Sequence, residues 1–377
     1  MSRIAVLNAG TATLKVAVLR VNRGAVTEEY RAQHEWAEAA GPGTVAAALA
    51  RMSAPFDAVG HRVVHGGPIF REGVRLDGAV VDAIERLIPL APLHNARALE
   101  LIRAADRAFP DVPAFALFDT AFHAHRPVES MCYALPAELV EAFDLRRYGF
   151  HGIAHASLTE TLAQTLGRPA TEVTAVTLQL GSGCSACAVE NGRSIETSMG
   201  YTPLEGLVMP SRSGDIDPAI VLRLVRAGYE PDEIERQLTR CSGLLGLAGS
   251  ADVRELLAAE AGGNECARLA LHVFVRRVVM TVGAYFTLLN GRGVLAFAGG
   301  IGTHSAEIRR RIAVGLAGWN IDIDAGRNVA NTLGRISTRR SRDVFTLRTD
   351  EESIIAREVG RLLSSGDSGQ RCGGSAH

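Results

Sequence analysis

Lysine is almost missing from this chain. Of 40 lysine and arginine residues in 377, one, Lys15, is a lysine. Charge of one sign is missing too: the net charge is -1, which leaves no basic surplus to meet nucleic acid or an anionic membrane surface. A disulfide framework is lacking. The six cysteines are Cys132, Cys184, Cys187, Cys241, Cys266 and Cys372. The lone C-x-x-C at Cys184 and Cys187 has no second pair to complete a metal site, so structural thiols are expected. The most apolar helical stretch, 270–289, is broken by His272, Arg276 and Arg277, so it reads as a core helix rather than a membrane span. No charged-then-apolar signal opens the sequence. These absences point to a cytoplasmic enzyme with no nucleic-acid or membrane partner. The length suggests two or three domains. The Ser/Gly-rich tail from Ser364 has the composition of a disordered segment.

The single lysine closes the stretch NAGTATLK, residues 8–15. An apolar strand precedes it and a second follows at 16–19. The turn between is small, hydroxyl-bearing and rich in backbone N–H groups, the composition of an anion-binding concavity. An ammonium is a compact point charge on a flexible stem, whereas a guanidinium is a rigid fork. A phosphate-reaching lysine is one reading; an ordinary Thr/Gly hairpin is the other.

Strands and helices alternate along the rest, an α/β pattern. Strands are expected at 58–64, 114–118, 173–180, 294–297 and 344–347. Helices are expected at 45–52, 79–87, 96–105, 156–166, 219–227, 266–289, 306–316 and 352–363. AVTLQLGSGCSACAV, 175–189, echoes AVLNAGTATLKVAVL near the start. Both read strand, Gly with hydroxyls, strand, and two such hairpins could grip a nucleotide's phosphates. Gly181, Gly183 and Ala186 also fit G-x-G-x-x-A. That fingerprint must open a helix, and here Asn191-Gly192 signals a hairpin turn instead.

Several clusters carry chemistry. GHRVVHGG (60–67) ends a strand with an arginine and two histidines, and FDTAFH (118–123) sets Asp119 at the end of another. YGFHGIAH (148–155) places His151 and His155 at a helix start. RSGDIDP (212–218) precedes a helix, and FAGGIGTHS (297–305) is a strand into a Gly-rich turn with Ser305 available as a cap. Each has a structural reading of its own, as ion pair, cap or core histidine. Together they match phosphoryl transfer, which needs positioned cations, a metal-holding carboxylate and phosphate-cradling loops.

These blocks, with APLHN (91–95), YALP (133–136), SMGYTPLEGL (198–207) and TDEE..IA (349–356), resemble those of the acetate/propionate/butyrate kinase family, in the family's order. The resemblance implies duplicated ribonuclease-H-like domains of the sugar-kinase/actin/chaperone-ATPase architecture with a central cleft. The first domain would be 1–123 plus 353–377, on the acyl side, and the second 124–352, on the nucleotide side. It implies a homodimer that makes acetyl phosphate and ADP from acetate and ATP by direct in-line transfer.

By the same resemblance Arg62 and Arg212 bracket the carboxylate and the transferring phosphoryl, His151 donates to its equatorial oxygens, and Asp119 is the essential carboxylate. Asn8 and Glu351 would hold Mg²⁺, with Mn²⁺ as an alternative. Val64, Leu93, Phe150 and Pro203 would form the pocket for the acyl methyl. Lys15, the loop Gln179, Leu180, Gly181, Ser182 and Gly183, the run Asp252, Val253 and Arg254, and the turn Gly300, Ile301, Gly302, Thr303 and His304 would take the nucleotide. Three departures fall on the nucleotide side. The family's H-L-G-N-G is Gln179 to Gly183 here, its G-T is Pro210-Ser211, and its G-I-G-E-N ends in Thr303-His304. A propionate or other short-chain carboxylate kinase is the neighbouring reading. A catalytically silent ATP-binding regulator is the reading from another class.

Overall fold

The structure, a computed structural model, describes residues 1–10, 13–35, 48, 49, 52 and 55–365. The centre of NAGTATLK, most of the helix expected at 45–52 and the tail beyond 365 lie outside the described residues, as does the side chain of Leu93. The chain forms two compact units, one of Met1–Ala121 with Asp350–His377, the other of Phe122–Thr349.

The first unit is built on a six-stranded sheet. Its strands are β1 (Ser2–Ala9), β2 (Thr13–Asn22), β3 (Ala25–Glu35), β4 (Ala58–Val63), β5 (Val74–Arg75) and β6 (Ala114–Phe118), in the order β3-β2-β1-β4-β6-β5. β1 and β4 run parallel, as do β4 and β6; the outer pairs are antiparallel. The centre of β1 is apolar without alternation, Ile4 to Leu7, all buried, because helices cover both faces of the sheet. One is Pro92–Ala108, which packs Leu99 and Ile102 among Val63 and Ala116. The other is the C-terminal helix Glu351–Ser364, whose Ile355, Ala356, Val359 and Gly360 are buried. A side chain at Gly60 of β4 would lie 2.7 Å from Ile355 and 2.9 Å from Val359, so glycine permits the close approach of helix and sheet.

The second unit repeats the plan. Its strands are β7 (Ala175–Leu180), β8 (Cys184–Glu190), β9 (Arg193–Thr197), β10 (Val294–Ala298), β11 (Gly334–Arg335) and β12 (Val344–Thr346), in the order β11-β12-β10-β7-β8-β9. Read from the other edge, this is the order and orientation of the first sheet. The duplicated α/β architecture is thus written in the strand order. The helix Gly152–Leu166 buries Leu158 and Leu162 against Ala175 and Ala296.

The helix Glu265–Leu288 is, among the described residues, the one long and apolar enough to cross a membrane by length and composition. It buries Ala270, Phe274, Val278, Val282 and Phe286 within the unit, as expected of a core helix. Asn191 and Gly192 both adopt positive φ in the β8–β9 turn, the geometry that Asn-Gly favours. β8, a strand, follows Gly181–Gly183, so the dinucleotide fingerprint fails for lack of its helix. One expectation is corrected: the Gly-rich turn after β10 is a short helix, Gly299–His304. Gly299, at φ +78, lets its backbone lie against that of Leu180.

Candidate active site

In the first unit four candidates form one hydrogen-bonded chain. Asp119 follows β6 and is buried; its backbone N–H donates to Val63 O across the β4–β6 pair at 3.0 Å. Arg62, on the adjacent β4, donates to both its oxygens, Nε to Oδ1 at 3.1 Å and Nη2 to Oδ2 at 2.6 Å. This is the bidentate fork geometry that fixes a guanidinium in angle as well as position. Arg62 Nη1 donates to Asn8 Oδ1 at 3.2 Å and lies 3.8 Å from Glu351 Oε2. Burial alone would lower the Arg62 pKa, but Asp119, Glu351 and Glu352 outweigh it and hold the group above its ordinary value.

Asn8, near the end of β1, donates from Nδ2 to Glu351 Oε2 at 2.9 Å and to Glu352 Oε1 at 2.6 Å. Arg31 on β3 closes the chain, reaching Glu352 Oε2 at 2.6 Å and Asp350 Oδ1 at 2.9 Å. Lys15 is the cross-strand partner of Asn8. Directly opposed residues project from the same face, so its stem leaves the sheet beside this cluster. Val64, two residues past Arg62, is buried.

In the second unit His151 sits at φ +57 as the N-cap of Gly152–Leu166. That left-handed conformation is uncommon for a side chain with a Cβ and concentrates at functional sites. Two residues earlier Gly149, at φ +80, has no room for a side chain beside Thr197 and His123. Three predicted residues meet here: a side chain at Gly183 would lie 3.1 Å from His151 Nε2 and 3.7 Å from Arg212 Nη1. Arg212 Nη1 also donates to Pro203 O at 3.2 Å, and burial lowers its pKa. Phe150 is buried, and its carbonyl contacts His123 Nε2 at 3.1 Å. Burial, reinforced by Arg126, holds His123 well below the usual histidine pKa.

The nucleotide candidates divide. A side chain at Gly181 would lie 3.7 Å from Gly300 N, so the Gln179–Gly183 loop and the Gly299–His304 helix, which carries Ile301 and Gly302, are neighbours. Gln179 Oε1 is buried without a hydrogen-bond partner, and Ser182 is exposed. Thr303 is buried and His304 exposed. By contrast, Asp252 caps the helix Val253–Ala261, accepting from Arg254 N at 2.8 Å, and Arg254 folds back on its carboxylate.

Several partners escaped the sequence. Glu352 and Arg31 anchor Asn8. Arg309, fully buried, donates to the carbonyls of Gly302 at 2.9 Å and Thr303 at 2.8 Å and to Asn328 and Asn331; burial lowers it to about 10. Glu205, bonded to both Tyr133 and Arg147, ties together the loop that carries Pro203. Cys184 and Cys187 are buried free thiols pushed up to about 12 by burial, structural as expected.

Two copies of one α/β sheet plan, each with a hairpin at the ends of its central strands where charged groups converge, define a phosphotransferase of the duplicated actin-like ATPase class. The sequence profile of the Acetokinase family matches residues 25–357, and the chain belongs to that family. It is 46% identical over 309 residues to the acetate kinase of Sulfurimonas denitrificans, covering 81% of this chain and 78% of that one. It is 41% identical over 383 aligned positions to that of Pseudarthrobacter chlorophenolicus, covering 96% and 99%. Among solved structures, a propionate kinase from Francisella tularensis matches with a TM-score of 0.85 and 35% identity, covering 95% of this chain and 99% of that one. Porphyromonas gingivalis acetate kinase matches at 0.85 and 32%, covering 96% and 100%.

Proposed function

We propose that this chain transfers the γ-phosphoryl of ATP reversibly to acetate, giving acetyl phosphate and ADP, by direct in-line attack without a phosphoenzyme. The observation that carries the reading is the Asp119–Arg62–Asn8–Glu351 chain. It gathers a guanidinium fork, a fixed carboxylate and oxygen donors from β1, β4, the end of β6 and the C-terminal helix. Acetate is ionised at neutral pH, so no strong base is required. Arg62 neutralises and orients the carboxylate, and Asp119 fixes the fork. His151 and Arg212, which converge on Gly183, donate to the equatorial oxygens of the phosphoryl group as charge redistributes. Val64, Leu93, Phe150 and Pro203 take the methyl. Lys15, the loop Gln179–Gly183, residues 252–254 and residues 300–304 take the nucleotide.

Asn8 Oδ1 and the Glu351 carboxylate suit a hard divalent cation that keeps several waters, and Asn8 Nδ2 already tethers the two together. Mg²⁺ held there would neutralise phosphate charge. The reading includes a homodimer in the cytoplasm; the exposed apolar side chains Ile220, Leu222 and Val225 on the helix Pro218–Arg226 support the former.

Propionate is the neighbouring acceptor, and the likeness to the Francisella propionate kinase favours keeping it in view. One methylene in an apolar pocket is worth about 1–3 kcal/mol. The test is acyl-phosphate formation, trapped as hydroxamate, with ATP, Mg²⁺ and formate, acetate, propionate or butyrate. Acetate should give the highest kcat/KM and propionate the next. A chain that binds ATP but forms no hydroxamate with any of them would be the silent regulator instead.

A further inference from the structure

Behind His151 lies an unbroken line of hydroxyls and imidazoles. His151 Nδ1 is 2.9 Å from Ser185 Oγ, Ser185 Oγ is 2.8 Å from His155 Nε2, and His155 Nδ1 is 2.8 Å from Thr177 Oγ1. His155, Ser185 and Thr177 are fully buried. Each hydroxyl has one hydrogen and each neutral imidazole one N–H, and two polarities give every hydrogen in the line a partner: all point from Thr177 toward His151, or all point back. A third, in which both imidazoles donate to Ser185, strands the hydrogen of that fully buried hydroxyl, whose hydrogen-bond partners among the described residues are the two rings alone, and is disfavoured by the cost of a buried unpaired donor.

The other contacts of Thr177 weigh between the first two. In the backward polarity its hydrogen goes either to Cys187 O, 3.4 Å away, beyond the ordinary O–H···O range of about 2.5–3.0 Å, or to the Cys187 sulfur, a weak acceptor. In the forward polarity it goes to His155 Nδ1 at 2.8 Å. Forward polarity makes His155 donate from Nε2 to Ser185, and Ser185 donate to His151 Nδ1. The proton of His151 is then on Nε2, the nitrogen nearest Gly183 and on the side of Arg212.

We propose that Thr177, His155 and Ser185 are positioning residues that hold His151 as the neutral Nε2–H tautomer, so that it offers the phosphoryl group a hydrogen bond without a second positive charge beside Arg212. Neutrality of the middle member is supported independently. Burial, with His151 adding to it, pushes His155 down to about 3, so it carries one proton under working conditions. The arrangement also fits the register. Ser185 pairs across the hairpin with Gln179, the penultimate pair before the turn, as Lys15 pairs with Asn8 in the first unit. The duplicated position that carries an ammonium in one sheet carries the relay hydroxyl in the other.

The inference rests on the reading of His151 as a phosphoryl-side donor, and the experiment separates the two. The full chain labelled with ¹⁵N-histidine is examined near neutral pH by two-bond ¹H–¹⁵N correlation, with His151→Gln and His155→Gln used to assign the rings. Both imidazoles should be neutral and protonated on Nε2. Protonation of either on Nδ1, or an imidazolium at His151, would overturn the relay. Ser185→Ala should let His151 populate both tautomers and lower kcat about tenfold, the size of one modest hydrogen bond, with both KM values within about twofold. Thr177→Val should act in the same direction, and Thr177→Ser and Ser185→Thr should restore most of the rate. Lost activity with unchanged tautomers would mean these residues merely support the fold, and would overturn the proposal. Correct tautomers with full turnover in His151→Gln would leave the relay standing and remove His151 from the chemistry.

Discussion

Replacing Asp119 by Asn changes one atom and one charge, at a position where both matter. The carboxylate takes two donors from Arg62, at 2.6 and 3.1 Å, and is nearly inaccessible to solvent. A carboxamide can accept only one of them and turns its own NH₂ against the other. Breaking a buried ion pair costs about 3–5 kcal/mol when the remaining charge is stranded. Arg62 keeps Asn8 Oδ1 at 3.2 Å and Glu351 at 3.8 Å, so the cost should lie near about 2–3 kcal/mol. For a unit of this size about 1 kcal/mol moves Tm by roughly 2–4 °C, which gives a fall of about 5–10 °C. Turnover should fall much further, by about 100-fold or more, because the loosened Arg62 no longer meets the transition state in a fixed orientation. Acetate KM should change far less, since losses confined to the transition state appear in kcat. Thermal melts and hydroxamate kinetics on Asp119→Asn, Arg62→Met and the double variant form the assay. The double variant should be more stable than Asp119→Asn alone, because no guanidinium is left unpaired. A single Asn variant with wild-type Tm and near-normal kcat would refute both the pair and the catalytic assignment.

Gly183→Ala should lower kcat with little loss of stability, since its methyl would stand 3.0 Å from His151 Cε1 and displace the ring; unchanged steady-state kinetics would show that His151 has slack. Gln179→His with Ser182→Asn should lower the ATP KM a few-fold, about 1 kcal/mol, while leaving the acetate KM alone. The unpartnered Gln179 Oε1 marks a side chain poorly matched to its place, and a double variant that binds ATP no better would mean the loop serves another phosphate geometry. His61 is buried, has no partner for either ring nitrogen and is held near pKa 3 by burial. Its unfolded form binds a proton below about pH 6.5, so stability is full above that pH and is lost as pH falls toward 3. His61→Leu should remove up to about 1.4 kcal/mol per pH unit from that acid slope, measured by urea unfolding.

The sequence declared its punctuation well and its partners poorly. The expected strands near 58–64, 114–118 and 294–297 appear within a residue or two, because central parallel strands are apolar on both faces. β3 went unseen. Its sequence, AVTEEYRAQHE, is charged and half exposed, since it lies at a sheet edge where pairing rather than burial makes the strand. Gly299 and Gly300 read as a turn and open a helix, because the backbone is fixed by its approach to Leu180 and not by local preference. Asn8, Arg62, Asp119 and Glu351 are spread over more than 340 positions, and only a family resemblance could group them. Ser185, Thr177, Arg31 and Arg309 had no local mark at all. A serine in a strand or an arginine in a helix becomes a support only through register and tertiary contact.

The C-terminal helix gives the order of synthesis a consequence. β1 is made first, yet its Asn8 waits for Glu351 and Glu352, and Gly60 waits for Ile355 and Val359. Until those residues emerge, the first sheet has one apolar face uncovered and the Asp119–Arg62 pair lacks its outer neighbours. Unit Phe122–Thr349 can meanwhile close on itself, since every strand of its sheet lies within it. The part of the protein begun first is therefore the part finished last. A chain stopped at Thr349 would present the whole of the second unit beside a first unit that still lacks its last helix.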